Sequence, residues 1–290
     1  MSALRSMLFV PADSERKLAK AQGSRADVLI LDLEDAVAPA QKPAARIAAA
    51  AYIRDQASKL SARLFVRINP LDSGLALSDL ASIVVPGLAG IMLPKTSSAA
   101  DIQRLAHYLD ALEARADMPA GGVDIVPVIT ETPQAMLTMH TFVPGIARLT
   151  GVTWGAEDLS AAIGAMSNRE VDGTLSPLYT LANSLCLCAA ASAGVPAVDT
   201  LYADFKDADG LAAACRQSRR RGFTGRIAIH PDQVDIINES YRPSDDELAK
   251  ARRIVDAFAA QPDAGTISLD GVMLDIPHLK QARRTIAQAG

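Results

Sequence analysis

The chain repeats one local pattern about eight times: a short, continuously apolar run rich in Val, Ile and Leu, then a longer stretch with helical spacing. The runs fall at 6–10, 28–33, 63–68, 90–93, 124–130, 149–154, 196–199 and 226–229. Continuous rather than alternating apolarity marks parallel strands buried on both faces. Between them, 44–59 is rich in Ala, and 98–115 carries Ile102, Leu105, Leu109 and Leu112 at steps of three and four. Segments 177–192 and 208–221 read the same way. Alternation of β and α without a break in composition predicts an α/β protein, a TIM (β/α)8 barrel over residues 1–242. An open doubly wound sheet is the alternative. Against it, Phe9-Val-Pro-Ala-Asp13 follows the first strand where a Gly-rich nucleotide loop belongs.

Residues 243–290 exceed what a barrel needs and predict a C-terminal helical arm. A helix is expected over 244–261, because Ser244 is followed three residues later by Glu247, a capping-box pattern. An irregular segment, 262–277, holds Gly265, Gly271 and Asp275, and a last helix covers 278–289. On spacing alone the arm reads equally as a packing lid or as an element exchanged with a neighbouring subunit.

Bulk properties exclude several classes. With 290 residues and 49% hydrophobic content, the chain can bury a large core. A net charge of −4 argues against an electrostatic nucleic-acid binder. No apolar run approaches the roughly 18 residues of a membrane span. The opening residues lead straight into a strand-like run, so no signal peptide is expected. The odd cysteine count, Cys186, Cys188 and Cys215, argues against a disulfide framework and for a reducing, cytoplasmic setting. All three are expected to be buried small hydrophobes, Cys186 and Cys188 on different sides of their helix.

In such a barrel the C-terminal strand ends form the active face. There the sequence places Glu34-Asp35, Arg67 with Asn69, Lys95, Glu131-Thr132, Glu157-Asp158, Asp199-Thr200 and His230. Acids outnumber bases, and crowded carboxylates repel unless a cation joins them. Glu131 and Asp158, one strand apart, are a seat for Mg2+, which takes one or two carboxylates and completes its shell with water and substrate. Glu34 and Asp35 either hold metal-bound waters or cap the next segment. Arg67 offers a planar fork for a substrate carboxylate, or pairs with one of the acids. Lys95 is either a Schiff-base lysine or a counter-charge to the acids. His230 lacks a second His at metal spacing and reads as structural. Arg219-Arg220-Arg221 reads as a solvated helix end.

A set of motifs occurs in order: Arg5-Ser-Met-Leu-Phe-Val-Pro11, Asp32-Leu-Glu-Asp-Ala-Val37, Arg67-Ile-Asn69, Pro94-Lys95, Glu131-Thr132, Gly155-Ala-Glu-Asp-Leu159, Ile229-His-Pro231 and Met273-Leu-Asp-Ile-Pro-His-Leu-Lys-Gln-Ala282. Over nearly the whole chain this resembles the citrate lyase β-subunit-like group, which includes malyl-CoA and citramalyl-CoA lyases. The resemblance implies a Mg2+-dependent barrel that makes or breaks a C–C bond in a 3-hydroxyacyl thioester, releasing a 2-keto acid and an acyl thioester. It implies that Glu131 and Asp158 bind Mg2+, that Arg67 grips the keto-acid carboxylate, and that Glu34 and Asp35 hold metal waters. Asp275 becomes the acid/base that reaches a neighbouring subunit's site, which favours a homo-oligomer such as a trimer or hexamer. Phe9 and Lys20 fall where family members contact the CoA moiety. Many relatives carry Gly where this chain has Ala12, and Lys where it has Arg226. A thioesterase, a malate-synthase-like condensing enzyme, and a β subunit working only with an acyl carrier protein are the alternatives.

Overall fold

The computed structural model describes residues 4–289. The chain divides into two compact units, Met1–Asn238 and Glu239–Gly290. The first is built on eight parallel strands: β1 Ser6–Pro11, β2 Val28–Asp32, β3 Arg63–Arg67, β4 Gly90–Leu93, β5 Asp124–Pro127, β6 Val152–Thr153, β7 Ala197–Asp199 and β8 Gly225–Ala228. Each expected strand is present, within a few residues of its expected span. The sheet order is β5-β4-β3-β2-β1-β8-β7-β6. Single parallel bridges, Ile125 with Leu149 and Val128 with Thr153, link its two ends and bring the sheet round into a nearly closed barrel.

Helices alternate with the strands: α1 Glu15–Ala21, α2 Lys42–Gln56, α3 Ala76–Ile83, α4 Ala99–Arg115, α5 Pro133–Leu137, α6 Glu157–Ile163, α7 Pro177–Ala193, α8 Ala208–Arg221 and α9 Asp232–Ser240. Their ends follow local chemistry. Ser98 and Asp101 form a capping box at the start of α4, and Asp207 caps α8 through the Gly210 N–H. The barrel interior is an apolar plug of Leu4, Met7, Val28, Ile30, Phe65, Met92, Val126, Val128, Val198 and Ile227. Burying each large member contributes about 2 kcal/mol. Among the described residues, no helix is long and apolar enough to cross a membrane. Cys186 and Cys215 are buried as expected, but Cys188 is exposed, because two residues along a helix turn the side chain to the other face.

The second unit holds α10 Asp245–Ala259, a hairpin of β9 Thr266–Leu269 and β10 Val272–Asp275, and α11 Ile276–Ala287. Ser244 and Glu247 form the expected capping box. The segment read as irregular is an antiparallel hairpin, not a loop. Its two turn residues, Asp270 (φ 54°) and Gly271 (φ 76°), are both left-handed, the conformation a tight hairpin turn demands. Ala251, Ile254, Phe258, Ile267, Leu274, Leu279 and Ala282 form its own core.

Candidate active site

The mouth of the barrel opens into a cavity of about 960 Å3, lined by Phe9, Asp35, Arg67, Glu131, Asp158 and Thr200 among others. Parallel strands deliver their last residues to this one end. Arg67 is the last residue of β3, and Asp32, directly beside it in register, is the last of β2. Arg67 donates from Nε to Asp32 Oδ1 at 2.7 Å and from Nη2 to Oδ2 at 2.6 Å. The Asp32 carboxylate also accepts the N–H groups of Glu34 (3.0 Å) and Ala36 (3.2 Å), so it organises the turn after β2 as well as the arginine. Asp32 was not anticipated as part of the site. It falls inside the apolar run expected at 28–33, so in the sequence it reads as part of the strand rather than as a site residue, and in the structure it is 1% exposed.

The other edge of Arg67 faces the remaining acids. Nη1 lies 3.0 Å from Glu34 Oε2 and 4.0 Å from Asp35 Oδ2. The Arg67 guanidinium also stacks over Phe9 at 4.5 Å. Burial opposes its charge, but Asp32, Glu34 and Asp35 hold its pKa above the ordinary arginine range. Glu34 is buried and Asp35 exposed, so the two adjacent acids occupy different environments. Burial raises the Glu34 pKa despite the nearby Arg67 and Lys95.

Lys95 ties the cluster together. Its Nζ lies 2.9 Å from Glu34 Oε1 and 3.0 Å from Asp158 Oδ1. Its backbone is left-handed (φ 49°), unusual for a residue other than glycine, and its N–H donates to Glu131 Oε2 at 2.6 Å. Burial works against its charge, but the bonds to Glu34 and Asp158 raise its pKa. An ammonium held in this way is a counter-charge and a poor Schiff-base nucleophile.

Glu131 is 7% exposed. Burial pushes its pKa up to about 8; the Lys95 N–H opposes this, and the charges of Asp158 and Glu34 add to it. Gly155 leaves room for the carboxylate: a Cβ there would stand 3.0 Å from Glu131 Oε1. Asp158 sits in the first turn of α6, three residues beyond Gly155 and partly exposed. Glu131 and Asp158 are therefore gathered, with Glu34, around one lysine. Among the described residues, no trio of His, Cys, Asp or Glu gathers at metal-ligand spacing. A cation here would rest on two carboxylates plus water or substrate, and these hard oxygen donors fit Mg2+.

Of the other candidates, Asp199 and Arg226 line the same cavity and His230 does not. Lys20 does not line this cavity; it is exposed beside a smaller cavity of about 270 Å3 with Arg25 and Pro231. Asp275 lies in the second unit, at the N-terminus of α11, with Oδ1 2.5 Å from His278 Nδ1. Arg226 is paired with Asp199, which also accepts Trp154 Nε1–H at 2.6 Å. His230 stacks on Phe205 with ring centroids 5.0 Å apart.

Fold and site together define a (β/α)8 barrel with an acidic, arginine-bearing mouth. Residues 5–231 match the HpcH/HpaI aldolase/citrate lyase family, and the chain belongs to that family. It is 35% identical to a citrate lyase subunit beta-like protein of Mycobacterium tuberculosis, over 98% of this chain and 94% of the relative. It is also 35% identical to a (3S)-malyl-CoA thioesterase of Cereibacter sphaeroides, with the same coverage. Among solved structures it is similar to protein CitE from Mycobacterium tuberculosis in complex with magnesium, acetoacetate and coenzyme A. That likeness has a TM-score of 0.79 at 33% identity and covers 100% of this chain and 99% of the other.

Proposed function

We propose that this protein is a Mg2+-dependent carbon–carbon lyase that cleaves a 3-hydroxyacyl thioester of coenzyme A into a 2-keto acid and an acyl thioester. The observation that carries this reading is the cluster of Glu34, Glu131 and Asp158 around Lys95, with Arg67 beside it. The magnesium, acetoacetate and coenzyme A held by the similar Mycobacterium tuberculosis structure support it.

Glu131 and Asp158 would hold the metal, which supplies Lewis-acid polarisation of the substrate's hydroxyl and carboxylate oxygens. Arg67 is anchored through Nε and Nη2 by Asp32 and meets the keto-acid carboxylate from its other edge, where Nη1 also lies 3.0 Å from Glu34 Oε2. Phe9 covers the guanidinium face, excludes water and offers an apolar wall to the thioester. Glu34 and Asp35 accept hydrogen bonds from water at the mouth. In cleavage, the hydroxyl proton is lost to a base as its oxygen becomes the keto oxygen. The C–C bond pair passes to the thioester as an enolate, and Asp275 returns a proton to that carbon. Asp275 acts from a neighbouring copy in a ring-shaped oligomer. The exposed Val272, Met273 and Ile276 beside it support an arm that packs on another chain.

The test is a panel of malyl-, citramalyl- and citryl-CoA assayed for keto-acid release with and without EDTA. Metal-dependent release supports the lyase, and full activity in EDTA sinks it. The relative named as a thioesterase favours hydrolysis as the second reading; there the product is a free hydroxy acid and no keto acid appears. Asp275→Asn should keep Mg2+ binding and stop turnover, and unchanged turnover would remove Asp275 from the mechanism.

A further inference from the structure

Behind the acidic mouth lies a second polar cluster that the reaction does not use. Lys42 is the first residue of α2, yet it is only 8% exposed. Its ammonium donates to the Leu33 carbonyl at 2.8 Å, to the Glu34 carbonyl at 2.8 Å and to Asn69 Oδ1 at 2.7 Å. All three protons are thus spent on neutral acceptors. A buried lysine is seldom kept for stability, because a packed apolar side chain generally serves as well. What Lys42 grips is more informative. Leu33 and Glu34 form the turn after β2, and Glu34 is the carboxylate held between Arg67 and Lys95. Asn69 stands two residues past Arg67. It donates from Nδ2 to the Leu33 carbonyl at 3.1 Å and to Asp79 Oδ2 at 2.7 Å, and from its N–H to Asp79 Oδ2 at 2.8 Å.

One ammonium therefore joins the two turns that present Glu34 and Arg67. Arg46, one helical turn further along α2, completes the far side of the cluster, donating from Nε to Asp79 Oδ1 at 2.6 Å. Its side chain donates to Asp79, not to the Leu33–Glu34 turn. The two cations of one network thus differ in a useful way: one touches the site's backbone, and the other only braces the cluster.

We propose that Lys42 is a positioning residue for keto-acid recognition, fixing the Glu34 turn and through it the angle at which Arg67 meets the substrate carboxylate. The assignment rests on the lyase reading above. A carboxylate clamp misplaced by about 1 Å loses much of its effect, so a brace on both turns has a functional consequence beyond stability.

The test uses the full chain and needs no turnover. Trp154 is the chain's single tryptophan and lines the cavity, so its fluorescence reports titration with pyruvate, glyoxylate or oxaloacetate at saturating Mg2+. Mg2+ binding alone is measured by calorimetry. Lys42→Met should weaken keto-acid binding at least tenfold and change Mg2+ affinity less than twofold. Arg46→Met should lower the melting temperature and leave keto-acid affinity within twofold. Lys42→Gln, which keeps two donors, should fall between wild type and Lys42→Met, and it serves if Lys42→Met does not fold. Unchanged keto-acid affinity in the Lys42 variants, or an equal loss in Arg46→Met, overturns the positioning role. A wild-type chain that binds none of the three keto acids overturns the lyase reading instead, and this assignment with it.

Discussion

Glu113 and Glu131 are both buried glutamates of the barrel unit, and the chain surrounds them in opposite ways. Glu113 receives Arg148 Nη1 at 2.7 Å and Nη2 at 2.6 Å, and the N–H groups of Gly121 and Val123 at 2.8 Å each. Burial alone would raise its pKa, but these donors bring it below the ordinary glutamate value. Glu131 receives the Lys95 N–H and faces Glu34 and Asp158, and its pKa is pushed up to about 8. A carboxylate supplied with donors is a structural staple. One left short of donors beside other acids is a place where a cation gains from binding.

Removing each carboxylate in turn should therefore have opposite consequences. Glu131→Gln should reduce activity by at least about a thousandfold, as removal of a metal ligand does, and should abolish Mg2+ binding. The metal-free variant should be at least as stable as wild type at pH 8, measured by urea denaturation. Glu113→Ala should do the reverse. It leaves Arg148 with Asp110 and the Val123 carbonyl, removes the acceptor of the Gly121 and Val123 N–H groups, and should lower stability by about 3 kcal/mol while leaving Mg2+ affinity unchanged.

Next in size comes pH. A carboxyl whose folded pKa is raised opposes folding once the unfolded chain has ionised. The metal-free protein should therefore lose stability between the unfolded glutamate pKa, about 4.3, and about 8, and Glu131→Gln should flatten that slope. Glu113 has the opposite sign. Its contribution is present above about pH 4.3 and is lost as pH falls through its depressed folded pKa, so Glu113→Ala should remove part of the acid-denaturation slope. The smallest effect is expected from Gly155→Ala, whose Cβ crowds Glu131 Oε1. A loss of Mg2+ affinity of roughly threefold to tenfold, on the order of 1 kcal/mol, should appear in calorimetry.

Much of the barrel was legible because parallel strands buried on both faces leave continuous apolar runs, and eight such runs without a Gly-rich loop after the first favour a barrel over an open sheet. Glu131, Asp158, Glu34 and Arg67 were legible for the same reason: strand ends converge. The residues missed were those whose role depends on a partner distant in sequence. Asp32 lies inside the apolar run at 28–33 and reads as part of the strand until Arg67 is placed beside it. Lys42 precedes the helix expected at 44–59 and carries no signal in the sequence, because its partners are the carbonyls of the turn after β2 and Asn69. The β9–β10 hairpin carried a readable signal, Asp270-Gly271 between strand-like residues, which the surrounding glycines and prolines obscured. Lys20, expected from the resemblance to contact the CoA moiety, is exposed beside the smaller cavity and does not line the main one.

If Glu131 is an acid held near neutrality for a metal, Mg2+ binding expels its proton. Calorimetric titration of Mg2+ at pH 7, in two buffers of different ionisation enthalpy, counts the protons released on binding. Wild type should bind with release of most of one proton, and Glu131→Gln should show neither binding nor release. Equal Mg2+ affinity in the two proteins, or binding without proton release in wild type, would contradict this role of Glu131.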